Sequence, residues 1–205
     1  MLFRSLKDLN TGVGVDILKR LFSSSRSFYP SMIEHITGVI PNQWHSNYSD
    51  MAKTKFISML KYVRIYPEFR FIFIGDSGQG DLICANDIYE HKKEFPTFPI
   101  RGCFIHNIMQ KNGSKPFRMI QDDKLIEELK KRDIFLFNNY IDLANQLYSL
   151  ELISSSNLQN MVSETLTDFK ENKKANVYIN DPEFVHFLEE DLELSASKFK
   201  TDKTI

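Results

Sequence analysis

Two carboxylates, Asp76 and Asp81, bracket a glycine-bearing loop in the run RFIFIGDSGQGD at 70–81. The residues before the loop are apolar and strand-like, so Asp76 falls at the carboxyl end of a strand, where ligands bind in doubly wound α/β sheets. Glycines at 75, 78 and 80 allow a sharp turn or a close backbone approach. Their offsets do not match G-x-G-x-x-G, and no G-K-[ST] follows, which excludes a dinucleotide fingerprint and a P-loop. Those loops hold phosphate through bare amides. A loop carrying two negative charges should repel a lone phosphate and attract a cation. Hard oxygen ligands beside a phosphate suit Mg²⁺, which takes one or two carboxylates and keeps several waters. Lys55 lies near the N-terminus of the helix that precedes the strand. If that helix packs antiparallel to the strand, Lys55 reaches the Asp76 end and can offset charge on a phosphoryl oxygen. The hydroxyl-rich SSSRS at 23–27 is a further candidate phosphate contact.

Each residue also has a plainer reading. Asp81 is placed to N-cap the helix that follows, whereas Asp76 sits too early to do so. Lys55 alone would be a solvated helix lysine. Arg26 and Arg101 could meet anionic lipid or substrate, and a surface salt bridge is the plainer role of each. His106, at a strand end, faces the same edge as Asp76, and a satisfied, partly buried imidazole is its plainer role. His35 and His45 show no metal spacing, and Trp44 and Tyr48 suit packing.

The elements that must position these residues follow from pattern. RFIFI (70–74) and IRGCFIHNI (100–108) read as strands covered on both faces, as in a parallel sheet. LICANDIYEHKKEF (82–95) lies between them as a helix, which makes a βαβ unit. Asp50 can cap a helix over 51–65, with Phe56, Met59, Leu60 and Val63 on one face. Leu2 to Leu9 reads as the end of a helix, 15–22 as helix or strand, 29–38 as a short helix and 109–121 as a loop. Beyond that the pattern is helical only: DKLIEELKKRD, then an apolar helix over 135–150, then SSSNLQNMVSETLTDFKEN and DPEFVHFLEEDLEL. Asp142 and Glu151 argue against reading the 135–150 helix as a membrane-surface helix. This divides the chain into an α/β part (1–121), a helical part (122–194) and a polar, frayed tail (195–205).

Composition bounds the function. Of 205 residues, 42% are hydrophobic and 17 are Phe, enough for a substantial core. Lys+Arg (26) and Asp+Glu (27) nearly cancel, and no basic stripe stands out, so nucleic acid is not the expected partner. The two cysteines, Cys84 and Cys103, have no zinc or CxxC spacing and fit a reducing compartment. No apolar run reaches transmembrane length and no signal-peptide pattern opens the chain. A cytoplasmic protein is expected.

Ser24-Ser25-Arg26, Lys55 and GDSGQGD occur in the order of motifs II, III and IV of the haloacid-dehalogenase-like (HAD) superfamily. More narrowly, TKFISMLKYVRIYPEFRFIFIGDSGQGD resembles the catalytic domain of Mg²⁺-dependent phosphatidate phosphatases of the actin-patch type. The spacing of twelve from Lys55 to Pro67 and the FIGDSGQ run carry that likeness. It runs from about 20 to 170 and is densest over 50–108. The resemblance implies that Ser24 holds a phosphate oxygen, Lys55 steadies the phosphoryl group and Asp76 ligates Mg²⁺, with Asp81 the second acidic member. It implies hydrolysis of a lipid phosphomonoester at a membrane surface, by peripheral association, through an aspartyl-phosphate.

Such catalysis requires DxDx[TV] ahead of Ser24, and the sequence has none: Asp8 and Asp16 each lack a second aspartate two residues on. The expected fold is therefore α/β, a HAD-like Rossmannoid parallel sheet with its first strand missing, followed by helices, in a chain truncated at its N-terminus. The expected function is a phosphatidate phosphatase-like protein without turnover. The alternative is a non-catalytic lipid- or protein-interaction module of the same descent.

Overall fold

The computed structural model describes residues 2–4, 33–35, 48–78, 80–112, 115–171 and 182–202. Its architecture is α/β, compatible with a Rossmann-like class. The elements in chain order are strands β1 (Leu2–Arg4) and β2 (Ile33–His35), helix α1 (Tyr48–Ile65), β3 (Phe71–Asp76), α2 (Asp81–Glu94) and β4 (Ile100–His106). A hairpin of β5 (Met109–Asn112) and β6 (Lys115–Arg118) follows, then α3 (Asp123–Lys131), β7 (Ile134–Phe137), α4 (Tyr140–Ser149), α5 (Ser155–Glu171) and α6 (Pro182–Asp202).

The main sheet has the order β2-β1-β3-β4-β7, and every neighbouring pair is parallel. Residues 71–76 are buried throughout, as the unbroken apolar run predicts for a strand covered on both faces. The alternation of β3 and β4 sends Phe71, Phe73, Cys103 and Ile105 to one face, where they meet Ala52 and Met59 of α1 and Cys84, Ala85 and Ile88 of α2. Those helix positions recur at helical spacing: Ala52, Lys55 and Met59 on α1, and Asp81, Cys84, Ala85 and Ile88 on α2. One lysine and one aspartate thus occupy the buried stripes of two core helices.

Several expectations are corrected. Leu2–Arg4 is a strand, not a helix end. It pairs with β3 through Leu2↔Ile72 and Phe3↔Phe73, so β3 has a parallel partner on each side and the sheet is not open at a missing first strand. Three apolar-rich residues fit either period, and the free amides and carbonyls of β3 decide in favour of the strand. Ile33–His35 is also a strand where a short helix was expected. The segment after β4 is a hairpin, with Gln110↔Phe117 and Lys111↔Pro116 in register, where a loop was expected.

The apolar stretch expected as one helix over 135–150 is divided. Ile134–Phe137 joins the sheet beside β4, and the helix starts only at Tyr140. Asn139 makes that break, because its side chain accepts from the amides of Ile141 (2.9 Å) and Asp142 (3.0 Å) as an N-cap. Two compact units result, the first ending at Phe137 and the second continuing from Asn138. The boundary therefore falls sixteen residues after the compositional change at 121/122, because α3 and β7 belong with the sheet.

Among the described residues the second unit is helical. Residues 195–202, expected as part of a frayed tail, are helical: α6 continues to Asp202, and Ser195 is fully buried. Its hydroxyl lies 2.9 Å from Asn145 Oδ1, and Lys198 Nζ donates to the Asn145 carbonyl at 2.7 Å. The segments 15–22 and 23–27, together with Asp8, Arg26, Trp44 and His45, lie outside the described residues.

Candidate functional site

The parallel register places Asp76 of β3 beside His106 of β4, and His106 beside Phe137 of β7, in one row at the carboxyl edge of the sheet. The imidazole of His106 stacks on the Phe137 ring, with centroids 5.1 Å apart and planes 15° from parallel. The chain leaves β3 through Ser77, whose amide donates to the His106 carbonyl at 2.9 Å. Asp76 Oδ1 then accepts from the Gly78 amide at 2.8 Å, a turn closed by the side chain two residues back.

Asp81 opens α2 but does not cap it. The N-cap position is Gly80, with no side-chain cap bond. The Asp81 carboxylate turns back into the interior. Oδ2 accepts from the Asp76 amide at 3.1 Å, and Oδ1 pairs with Lys55 Nζ. The expected helix-cap role is therefore replaced by a clasp that joins α1, the end of β3 and the start of α2. Lys55 is only 3% exposed and Asp81 fully buried, so the pair is screened from water. Burial raises the Asp81 carboxyl above its usual range, while the adjacent ammonium, its hydrogen bond and the Asp76 amide pull it back down.

The glycines follow from this clasp. A Cβ on Gly75 would sit 2.5 Å from Asp81 Cβ and 2.6 Å from its Oδ2. A Cβ on Gly80 would meet the Tyr48 carbonyl at 2.5 Å and the Ala52 amide at 3.1 Å. Both positions are glycine because protein atoms approach them, and neither needs a left-handed backbone.

Lys55, Asp76 and Asp81 thus come together at the carboxyl end of β3. Ser24, the fourth expected site residue, lies outside the described residues. Charge around the clasp is uneven. Lys55 and Asp81 neutralise one another, which leaves Asp76 as the net negative group. Asp76 is 6% exposed, and its Oδ2 makes no hydrogen bond among the described residues. Both Asp81 oxygens are already engaged by the protein. The donor set therefore offers a divalent ion one side-chain oxygen, from Asp76, which is within what Mg²⁺ accepts when waters and a phosphate complete its shell. No group of three or more His, Cys, Asp or Glu able to hold a metal occurs among the described residues.

Two residues at this edge were not anticipated. Ser77 is buried, and its hydroxyl accepts from the Ile108 amide at 3.1 Å. Asn107, also buried, bonds the Ile120 backbone twice: its Nδ2 donates to the carbonyl at 2.8 Å, and its Oδ1 accepts from the amide at 3.0 Å. Together with the bond from Met119 N to Ile108 O, this closes the neck of the β5–β6 hairpin next to Asp76. The available signal was a polar residue directly after each apolar strand run. Arg101, expected in a surface salt bridge, makes none among the described residues.

Compared with known proteins, the chain matches no family model, and no curated protein or solved structure shows significant similarity to it.

Proposed function

We propose that this chain is a HAD-like protein related to phosphatidate phosphatases, with the carboxyl edge of β3 as the site for a cation and a phosphorylated ligand. The observation that carries the reading is the convergence of Lys55, Asp76 and Asp81 at the end of one parallel strand. Asp76 would hold Mg²⁺ through Oδ2. The ion, when bound, would neutralise charge on a phosphoryl oxygen. Asp81 fixes the Lys55 ammonium and the Asp76 backbone, so that both stay aimed at the edge without reorganisation. An ammonium has three donors, and among the described residues Lys55 spends one, on Asp81, which leaves donors for a phosphoryl oxygen. Ser24 is the proposed second phosphate contact, by resemblance alone.

The proposed ligand is a lipid phosphomonoester met at a membrane surface by a cytoplasmic protein. Among the described residues no helix is long and apolar enough to cross a membrane, in keeping with peripheral contact. The 205 residues hold no DxDx[TV], so binding without turnover is the expected behaviour. Phosphate release from phosphatidate should match the blank with and without Mg²⁺, and release above it would overturn the claim that the nucleophile is missing. Mg²⁺ titration followed by amide shifts should perturb 75–81, and Asp76→Asn should weaken binding roughly tenfold or more. Equal binding by wild type and Asp76→Asn would sink the cation site.

A second reading is a non-catalytic interaction module. It is favoured by one observation: both Asp81 oxygens serve the fold, as a structural clasp requires. Absence of Mg²⁺ binding in the same titration would select it.

A further inference from the structure

At the opposite, amino-terminal edge of the same sheet lies a cleft of about 480 Å³, within the size range of small-ligand sites. The turn before β3, the turn before β4 and the last turns of α2 form it. We propose that this cleft binds a small phosphate-bearing anion, independently of the Asp76 edge.

Charge is the first argument. Arg70, Lys92 and Arg101 line the cleft against a single acid, Glu68. Lys92 is already answered by Asp133 at 2.7 Å. Arg101 is exposed, and its side chain makes no ion pair or hydrogen bond among the described residues. A concave surface that gathers cations and leaves one unanswered favours an anion. Guanidinium forks match phosphate oxygens in pairs.

Construction is the second argument. The walls are held before any ligand arrives. Phe98 packs edge-on against His91 with centroids 4.7 Å apart, and Phe69 packs against Tyr66 at 6.2 Å. Pro67, Pro96 and Pro99 restrict the two turns. The Phe71 amide donates to the Pro99 carbonyl at 2.8 Å, which ties the two turns together, and the Ile100 amide donates to the Phe98 carbonyl at 2.9 Å within the second turn. Little ordering would be lost on binding. β3 itself separates this cleft from Asp76, and six strand residues span roughly 20 Å.

Free diphosphate and a lipid headgroup share this chemistry, so the test uses both. Pyrophosphate is titrated into wild type and followed by amide shifts, and phosphatidylcholine vesicles with and without phosphatidate are tested by co-sedimentation. Expected are saturable shifts at 67–70 and 96–101, and a loss of roughly tenfold or more in Arg101→Glu. Lys131→Glu, at an exposed lysine on α3, should bind as wild type. Loss on the pyrophosphate arm identifies a soluble ligand. Loss on the vesicle arm alone identifies a headgroup. Binding to neither probe, binding indifferent to Arg101→Glu, or shifts confined to 75–81 would overturn the proposal.

Discussion

The Lys55–Asp81 pair is where one side chain most affects the whole site. Removing one partner of a buried pair strands the other charge in a low-dielectric interior, and typically costs about 3–5 kcal/mol. Lys55→Met should therefore lower the urea midpoint sharply. Lys55→Met with Asp81→Leu should cost less than the sum of the two single changes, since an apolar pair leaves no lone charge. The pH dependence follows from the raised Asp81 carboxyl. A buried acid whose folded pKa lies above its unfolded value favours folding below the unfolded value, and that contribution is lost as pH rises through the folded value. Removing the ammonium takes away the main influence holding Asp81 down, so the Lys55→Met deficit should be smallest near the model-peptide value of 3.8 and grow toward neutrality. Urea curves at the two pH values check this, and a deficit that shrinks with rising pH would contradict it. Gly75 belongs to the same unit. Gly75→Ala drives a methyl into the Asp81 carboxylate, and a loss of about 1–3 kcal/mol is expected in thermal melts.

At the scale of elements, the hairpin neck and the two cysteines give the sharpest expectations. Asn107→Ala removes both bonds to Ile120 and leaves a backbone amide and carbonyl without their partner, a cost of about 1–3 kcal/mol. Hydrogen exchange at the Ile120 amide should accelerate while the β3 amides stay protected, a pattern distinct from global destabilisation. Cys84 on α2 and Cys103 on β4 lie in the shared core, and burial pushes both thiols far above their ordinary value. Neither should react with a disulfide reagent at mildly alkaline pH until urea unfolds the chain. The elements themselves differ in how legible they were. β3, α2 and β4 follow from long runs with one clear period. β7 was hidden because IFLF joins an apolar helix pattern without a break, and the Asn139 cap that separates them uses a residue type common inside helices as well. The hairpin was hidden because MQKNGSKPFR lacks apolar alternation, and what the structure adds is the antiparallel pairing of its backbone groups.

For the whole molecule, the division at Phe137 means that the sheet unit includes α3 and β7, and that the helical unit depends on its last turns. A chain ended at Leu194 loses the buried Ser195 hydroxyl and the Lys198 bonds to Asn145 and Ser149, so it should melt below the full chain. Ser195→Ala should account for about 1 kcal/mol of that difference. An unchanged melting curve would restore the view of 195–205 as a dispensable tail. Sequence alone determined the α/β class and the βαβ core, because apolar period is a local property, and it singled out Lys55, Asp76 and Asp81 as candidates from the order of charged residues along the chain. It could not say what the carboxylates touch. Whether Asp81 caps its own helix or reaches back to Lys55, 26 residues earlier, depends on how closely α1 packs against Gly80. Whether Leu2–Arg4 is helix or strand depends on a vacant edge of β3, whose paired residues are 70 positions away. Both are settled by which distant backbone and charge partners the folded chain supplies, and only the tertiary structure contains that information.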